Sequence, residues 1–379
     1  MNQGFYLTLM MGGFNASPVP QAVIDALQEV QVTSTVGAQG GFQLKFSIGK
    51  NSALAQLHNS GFFDPRQRVI ICVTVNGATE VLIDGIVTKQ DMVPSSQAGK
   101  STLSVTGLDL TALMDFIDLS GIPYPALPPF LIVDAILAKY APLGVYPVAI
   151  PNAIPELKNP LDGWVTQRGT DYAYIQELGQ TTGWTFYLDP GPSPGTSMAY
   201  WGPDLSSMFG GTQSPPLLID MGSATNIDSI SFSYDGMLAT QYLMVILEDE
   251  TDPAIPIPVP VPNIAFLKGA NARNAATPLK SEQGPKPEND DKSSSNSVVD
   301  ALIWGVKKLF ATSEAVTASG QLDVVRYGQV FKARKQAVVQ GAGDYYDGKY
   351  YVKSVTHNIK NGEYKQSFSL ARGGTGSTV

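Results

Sequence analysis

The sequence predicts a β-rich α+β protein: two related β-barrel, tube-like domains with a helical and loop, clamp-like segment between them. Three observations carry that expectation. Strand-length segments alternate apolar and polar residues with period two; a strand, glycine turn, strand module occurs in both halves; and helical periodicity is confined to short stretches. With 379 residues and a 43% hydrophobic share, two or three domains with sizeable cores are possible. The expected boundaries are 1–115 for a first barrel with a short N-terminal helix and 116–183 for the connecting segment. A second barrel over 184–379 is interrupted by a mobile polar loop at 269–297 and an amphipathic helix at 298–311.

The elements follow from local pattern. Pro18-Val19-Pro20 leads into a helix over 21–30 with Val23, Ile24, Leu27 and Val30 on one stripe. Val32, Ser34 and Val36 begin strand alternation, 37–41 turns, and Phe42, Leu44, Phe46 and Ile48 then face one way while Gln43, Lys45 and Ser47 face the other. Strands at 68–75 and 80–88 flank Asn76-Gly77, the favoured pair for a tight type I′ turn. A strand over 101–106 precedes helices over 108–116 and 130–140, the second bounded by Pro128-Pro129 and Pro142. Thr170 or Asp171 caps a helix presenting Tyr172, Ile175 and Leu178; Gly183 stops it, and Trp184, Phe186 and Leu188 open a strand.

Further strands are expected at 217–221 and in a hairpin over 227–247. The proline run 255–262 cannot donate a regular ladder and reads as extended edge or polyproline II, a stiff connector rather than a recognition ligand. Residues 269–297 are depleted in apolar types and read as a mobile loop. Val299, Leu302, Ile303, Val306, Leu309 and Phe310 then recur at helical spacing behind a Ser297 cap, with Trp304 off the stripe. Trp304 and Phe310 are the candidate interface residues, packing on a protein neighbour in preference to a membrane surface. The chain ends in strands at 324–325, 329–339, 350–357 and 364–370.

Two parts of the chain run in parallel. Residues 68–89 and 329–353 are each strand, glycine turn, strand; Lys100–Gly107 parallels the stretch from Lys365; and the opening hairpins around 30–48 and 230–247 correspond loosely. A duplicated barrel assembled three times presents six similar barrels around one axis, a geometric adaptor between threefold and sixfold objects.

Composition narrows function. A net charge of −8 argues against nucleic acid, whose phosphates need clustered Lys and Arg; Lys332-Ala333-Arg334-Lys335 is short and set among strand residues. A charged share of 15%, against roughly 25% in an average soluble chain, suits a subunit that hides surface against copies or partners. Cys72, alone in an apolar run, reads as a small buried hydrophobe. The first ten residues lack the basic region and long apolar core of a signal peptide, and no apolar run approaches the ~18 residues of a membrane helix. Synthesis in the cytoplasm is expected.

No chemistry converges. Gly99-Lys100-Ser101 is followed by a strand, where a phosphate loop needs a helix, and Pro94 stands where that loop needs a glycine. His58 and His357 lack ligand-spaced neighbours, so no metal or other cofactor is expected. Glu288-Asn289-Asp290-Asp291 lacks the alternation of a calcium loop. Carboxylates are plentiful, but a hydrolytic pair needs a separation that sequence does not reveal. A structural role is the first reading; a cell-wall or polysaccharide hydrolase is the alternative, and a membrane-inserted β-barrel a third.

Three stretches resemble the baseplate hub family of contractile tails, which includes phage late-control D proteins, the hub half of VgrG and the hubs of extracellular contractile injection systems. They are the capped helix and aromatic strand of 170–188; Tyr345-Tyr346-Asp347-Gly348-Lys349-Tyr350-Tyr351 with its continuation through His357 and the closing 362–372; and 20–48 with 81–85 and 107–114. The resemblance implies a homotrimer whose six barrels sit under the inner tube and above the spike. The expected partners are tube protein, baseplate wedges, and tape-measure protein or cargo in the lumen. Because the sequence ends soon after the second barrel, without the needle fused on in VgrG, a separate spike protein is expected. The resting place is the assembled baseplate of a tail-like particle.

Overall fold

The computed structural model describes residues 4–96, 101–125, 127–151, 165–182, 184–202, 213, 215–235, 241–246, 257–260, 279–283 and 315–372. The first barrel holds seven strands: β1 (Phe5–Gly12), β2 (Ser17–Pro18), β3 (Leu27–Thr35), β4 (Gly41–Ile48), β5 (Arg68–Val75), β6 (Ala78–Val93) and β7 (Ser101–Asp109). They pair antiparallel in the order β3-β4-β7-β6-β5-β1-β2. Alternation does what the pattern predicts: Phe42, Leu44, Phe46 and Ile48 are buried while Gln43 and Lys45 are exposed. β5 lies between β1 and β6 and is buried on both faces, hence its nearly unbroken apolar run. Cys72 sits in it, buried, and burial pushes the thiol up to about 11.

Two differences from the sequence reading have plain causes. Helix α1 (Gln21–Ala26) stops four residues before the expected end, because from Leu27 the chain pairs with β4 on one side and with the far C-terminal hairpin on the other. Two ladders, which bury Val30 and Val32, outweigh one more turn of an isolated short helix. Helix α2 (Ala53–Asn59) was not expected; Ser52 caps it by accepting from Ala55 N–H at 3.2 Å.

The Asn76-Gly77 turn takes the positive φ pair, 49° and 83°, that a type I′ turn demands. No atom lies within 4 Å of a Cβ built on Gly77. Gly77→Ala is therefore a pure backbone test, expected to cost roughly 1 kcal/mol, read as a lowered urea midpoint with unchanged slope.

The clamp unit carries its own core. Helices α3 (Thr111–Met114), α4 (Pro129–Ala138) and α5 (Asp171–Thr182) surround strands β8 (Pro123–Tyr124), β9 (Val145–Ala149), β10 (Val165–Thr166), β11 (Thr185–Pro190) and β12 (Ser197–Gly202). Leu110, Met114, Ile132, Ile136, Tyr174, Ile175, Phe186 and Trp201 form one cluster. Thr170 Oγ1 caps α5 by accepting from Ala173 N–H at 3.1 Å, while the expected stop at Gly183 lies outside the described residues. The expected boundary at 184 falls inside this unit: β11 pairs with β12 and β12 with β9, and Phe186, Leu188 and Trp201 are buried against α4 and α5. An aromatic strand after a glycine looks the same whether it starts a new barrel or completes an older core.

The second barrel holds β13 (Leu217–Leu218), β14 (Ser229–Tyr234), then β15 (Gln241–Ile246), β16 (Ile257–Pro260) and β17 (Leu279–Gln283) in a separate small sheet, and β18 (Val316–Asp323), β19 (Gln336–Gln340), β20 (Gly348–Lys360) and β21 (Glu363–Arg372). The main order is β14-β18-β21-β20-β19, the β3-β4-β7-β6-β5 order of the first barrel over again. The duplication is thus real, with one correction. The expected hairpin over 227–247 does not form; β14 pairs with β18, so the chain leaves the barrel at Asp235 and returns at Ala315, whose carbonyl accepts from Asp235 N–H at 2.8 Å. Proline-bearing β16 is an edge strand, where missing donors cost least. β17 lies within the expected mobile loop. The rest of that loop and the expected helix at 298–311 lie outside the described residues.

Helix α6 (Val324–Tyr327) stands where a strand was expected. Asp323 caps it, accepting from Val325 N–H at 2.9 Å and Arg326 N–H at 3.1 Å, and Gly328, φ 88°, ends it. The two barrels join edge to edge through β3 and β20, Val30 opposite Ile359 and Thr35 opposite Ser354, so one 13-stranded sheet and one hydrophobic core run through both.

Candidate functional site

The polar side chains that sequence alone does not pick out converge where the three units meet. Arg68, at the start of β5, forms a forked pair with Asp84 of β6, Nε to Oδ1 at 2.8 Å and Nη2 to Oδ2 at 2.6 Å. The same guanidinium donates to Phe14 C=O at 3.2 Å in the first barrel and to Leu143 C=O at 2.8 Å and Gly195 C=O at 3.3 Å in the clamp unit. Burial pushes the Asp84 carboxyl above its ordinary value, and the arginine fork pulls against that.

Arg334 ties all three units. It occupies a left-handed backbone position, φ 61°. Its guanidinium donates to Ser34 Oγ at 3.2 Å and Thr35 C=O at 3.0 Å on β3, pairs with Asp189 of β11 at 3.1 Å, and lies 4.2 Å from the Tyr187 ring centre. In the sequence it was one of a short basic cluster; nothing local marks it as buried, because its partners are remote in the chain.

Asp109, ending β7, accepts from Gly40 N–H at 2.6 Å, Thr111 N–H at 3.0 Å and the Thr111 hydroxyl. Burial raises its pKa, with those donors opposing. Asp84, Asp109 and Arg334 line a cavity of about 20 Å³ together with Ser34, Ile83 and Ser197. That is room for about one water. Both carboxylates are held by fixed donors, Asp84 by Arg68 and Asp109 by Gly40 and Thr111.

A second buried network pins the C-terminal hairpin. Gln366 of β21 exchanges two hydrogen bonds with the Phe331 backbone, at 2.9 and 2.7 Å, and its amide donates to His357 Nδ1 at 3.1 Å. The Tyr364 hydroxyl also donates to Nδ1 at 2.7 Å. Two donors on one nitrogen fix His357 as the neutral Nε2–H tautomer, and burial lowers its pKa to about 3.

Of the residues singled out in the sequence, Trp304 and Phe310 lie outside the described residues. His58 lies in the last turn of α2, and no group of three His, Cys, Asp or Glu among the described residues is arranged to hold a metal. No helix among them is long and apolar enough to cross a membrane. Apolar surface is concentrated on the outer face of β9 and β12, with Tyr146, Val148 and Met198 exposed, on the loop at Phe116 and Ile117, and at the end of β6, with Met92 and Val93.

No protein-family model and no curated protein matches the chain. Its fold does match solved structures. A 43 kDa tail protein of prophage MuSo2 from Shewanella oneidensis superposes with a TM-score of 0.61 at 15% identity, covering 97% of this chain and 98% of that one. A tail protein from Neisseria meningitidis MC58 gives 0.59 at 13% identity, covering 97% and 96%. An Escherichia coli component of the type VI secretion system, described as similar to the T4 bacteriophage tail proteins gp27 and gp5, gives 0.56 at 12% identity, covering 92% of this chain and 73% of that one.

Proposed function

We propose that this chain is a structural subunit of a phage-tail-like particle: the baseplate hub of a contractile injection machine, a homotrimer that adapts the sixfold inner tube to a threefold spike. The observation that carries the reading is the duplicated barrel. Two copies of one strand order, joined edge to edge in one chain, become six barrels in three chains. The tail-protein fold of the matched structures supports it. The partners are the inner tube protein, a separate spike, baseplate wedges and a tape-measure or cargo chain in the lumen. The role is mechanical rather than catalytic, transmitting force from sheath contraction. Its place is the assembled baseplate.

The test is mass in solution. Light scattering of the purified chain, alone and with its spike, is expected to give three times 40.4 kDa and a trimer-plus-spike complex. A species that stays monomeric at every concentration and never takes up spike or tube protein overturns the reading.

A further inference from the structure

We propose that neighbouring subunits join through a β-ladder between β14 of one copy and residues 89–93 of β6 in the next, a joint that each chain already contains once, complete, between its own barrels. The inference rests on the trimer reading above and names the surface that builds it.

The barrels can be equated residue by residue. In each, one bulge interrupts the long hairpin, between Val87 and Lys89 in β6 and between Val352 and Ser354 in β20. Beside each bulge stands an arginine with positive φ, Arg66 at 77° and Arg334 at 61°. Arg66 N–H donates to Val87 C=O at 2.8 Å and Val87 N–H to Gln67 C=O at 2.9 Å; Arg334 N–H donates to Val352 C=O at 3.0 Å and Val352 N–H to Lys335 C=O at 3.0 Å. The registers carry the match across the sheet. Val87 faces Gly107, Gly107 faces Phe42 and Phe42 faces Val32. Val352 faces Leu370, Leu370 faces Ala318 and Ala318 faces Phe232. Phe232 therefore stands for Val32, and β14 for β3.

Beyond the bulge the two hairpins differ in what covers them. Residues 354–360 of β20 are covered by β3. Among the described strands, their counterpart from Lys89 onward pairs with β7 alone, and β14, the counterpart of β3, with β18 alone. The bond from Asp235 N–H to Ala315 C=O sets the parity of that ladder, so the N–H and C=O of Ile230, Phe232 and Tyr234 point to the open edge. That edge, Ser229–Tyr234, carries no proline and no charge, the usual guards of a strand meant to stay unpaired.

Burial repeats the asymmetry. His357 is 5% exposed inside the internal joint; Met92, its counterpart, is 51% exposed. Arg334 clasps the end of β3 through Ser34 and Thr35. Arg66, exposed, has its guanidinium 5.3 Å from the Phe116 ring centre and no carboxylate or carbonyl partner among the described residues. A second copy's β14 completes this half. Phe232 then falls opposite Met92, Ser233 opposite Asp91 and Asp235 opposite Lys89, with Arg66 at the end of the incoming strand. The two edges are different surfaces, so the joint is head-to-tail and closes as a ring.

Disulfide trapping in the full-length chain tests this. The internal equivalent is Thr33 opposite Thr356, whose hydroxyl oxygens are 3.2 Å apart; Thr33→Cys with Thr356→Cys is expected to close within one chain. Ser233→Cys with Asp91→Cys is expected to give covalent two- and three-chain species on oxidation, reversed by reductant. The register-shifted pair Ser233→Cys with Met92→Cys is expected to give at least tenfold less. Arg66→Glu is expected to shift the mass toward monomer while the circular-dichroism spectrum stays that of the folded chain. A trimer by mass whose in-register pair stays uncrosslinked overturns the joint and leaves the trimer standing; equal crosslinking of both pairs overturns the register. A monomer in every variant and in the wild type overturns the function reading beneath it.

Discussion

Replacing Arg68 with methionine is expected to lower unfolding stability by about 3–5 kcal/mol, the range for leaving one member of a buried pair without its partner. The side chains of Arg68 and Asp84 are 7% and 0% exposed, so the remaining carboxylate cannot turn to water. Either it stays charged in a poor solvent or it takes up a proton, which burial already favours. The carbonyls of Phe14, Leu143 and Gly195 lose a donor at the same time. The double replacement Arg68→Met with Asp84→Leu removes the stranded charge and is expected to recover a large part of the loss. Urea unfolding of the three proteins decides it; a single-variant loss below about 1 kcal/mol would mean that water reaches the pair.

His357 makes the protein acid-sensitive. Its folded pKa, about 3, lies below the unfolded value of about 6.5. Below pH 6.5 the unfolded chain binds a proton that the folded one refuses, so stability is complete above that pH and falls on acidification, by up to about 1.4 kcal/mol per pH unit toward pH 3. Two other influences enter. Lys332, the charged neighbour, adds to the depression, and the raised carboxyls of Asp84 and Asp109 act with the opposite sign as they near protonation. The clean quantity is therefore a difference. His357→Gln keeps a side-chain oxygen that can accept from the Tyr364 hydroxyl, loses the titration, and is expected to show a slope between pH 6.5 and 4 flatter by about 1 kcal/mol per unit. Parallel slopes would show that His357 gains its proton without unfolding.

What the sequence disclosed and what it withheld divide along one physical line. Alternation and turn chemistry are local, so β4, the Asn76-Gly77 hairpin and the C-terminal hairpin were legible, as was the duplication that repeats them. Partner choice is not local. Nothing near Ile230 says that its strand seeks residues 316–323, and nothing near Arg334 says that Ser34 and Asp189 will surround it. The one-turn α6 was misread as strand because Val324-Val325 is β-branched, while its cap lies in the side chain before it. The junction of the three units was invisible for the same reason, since Arg68, Asp84, Asp109 and Arg334 are ordinary polar residues until the sheet brings them together.

The excursion between Asp235 and Ala315 has a further consequence. In the first barrel the equivalent strands are linked by only a few residues, so this rim has accepted a span of very different length with its hairpin ends still bonded. Chain statistics make such growth inexpensive: a roughly fifteenfold longer closure costs only about 2–2.5 kcal/mol. The short link between β3 and β4 should then be a permissive address for foreign sequence, where a reporter peptide or small folded module can be spliced in while the host keeps its shape.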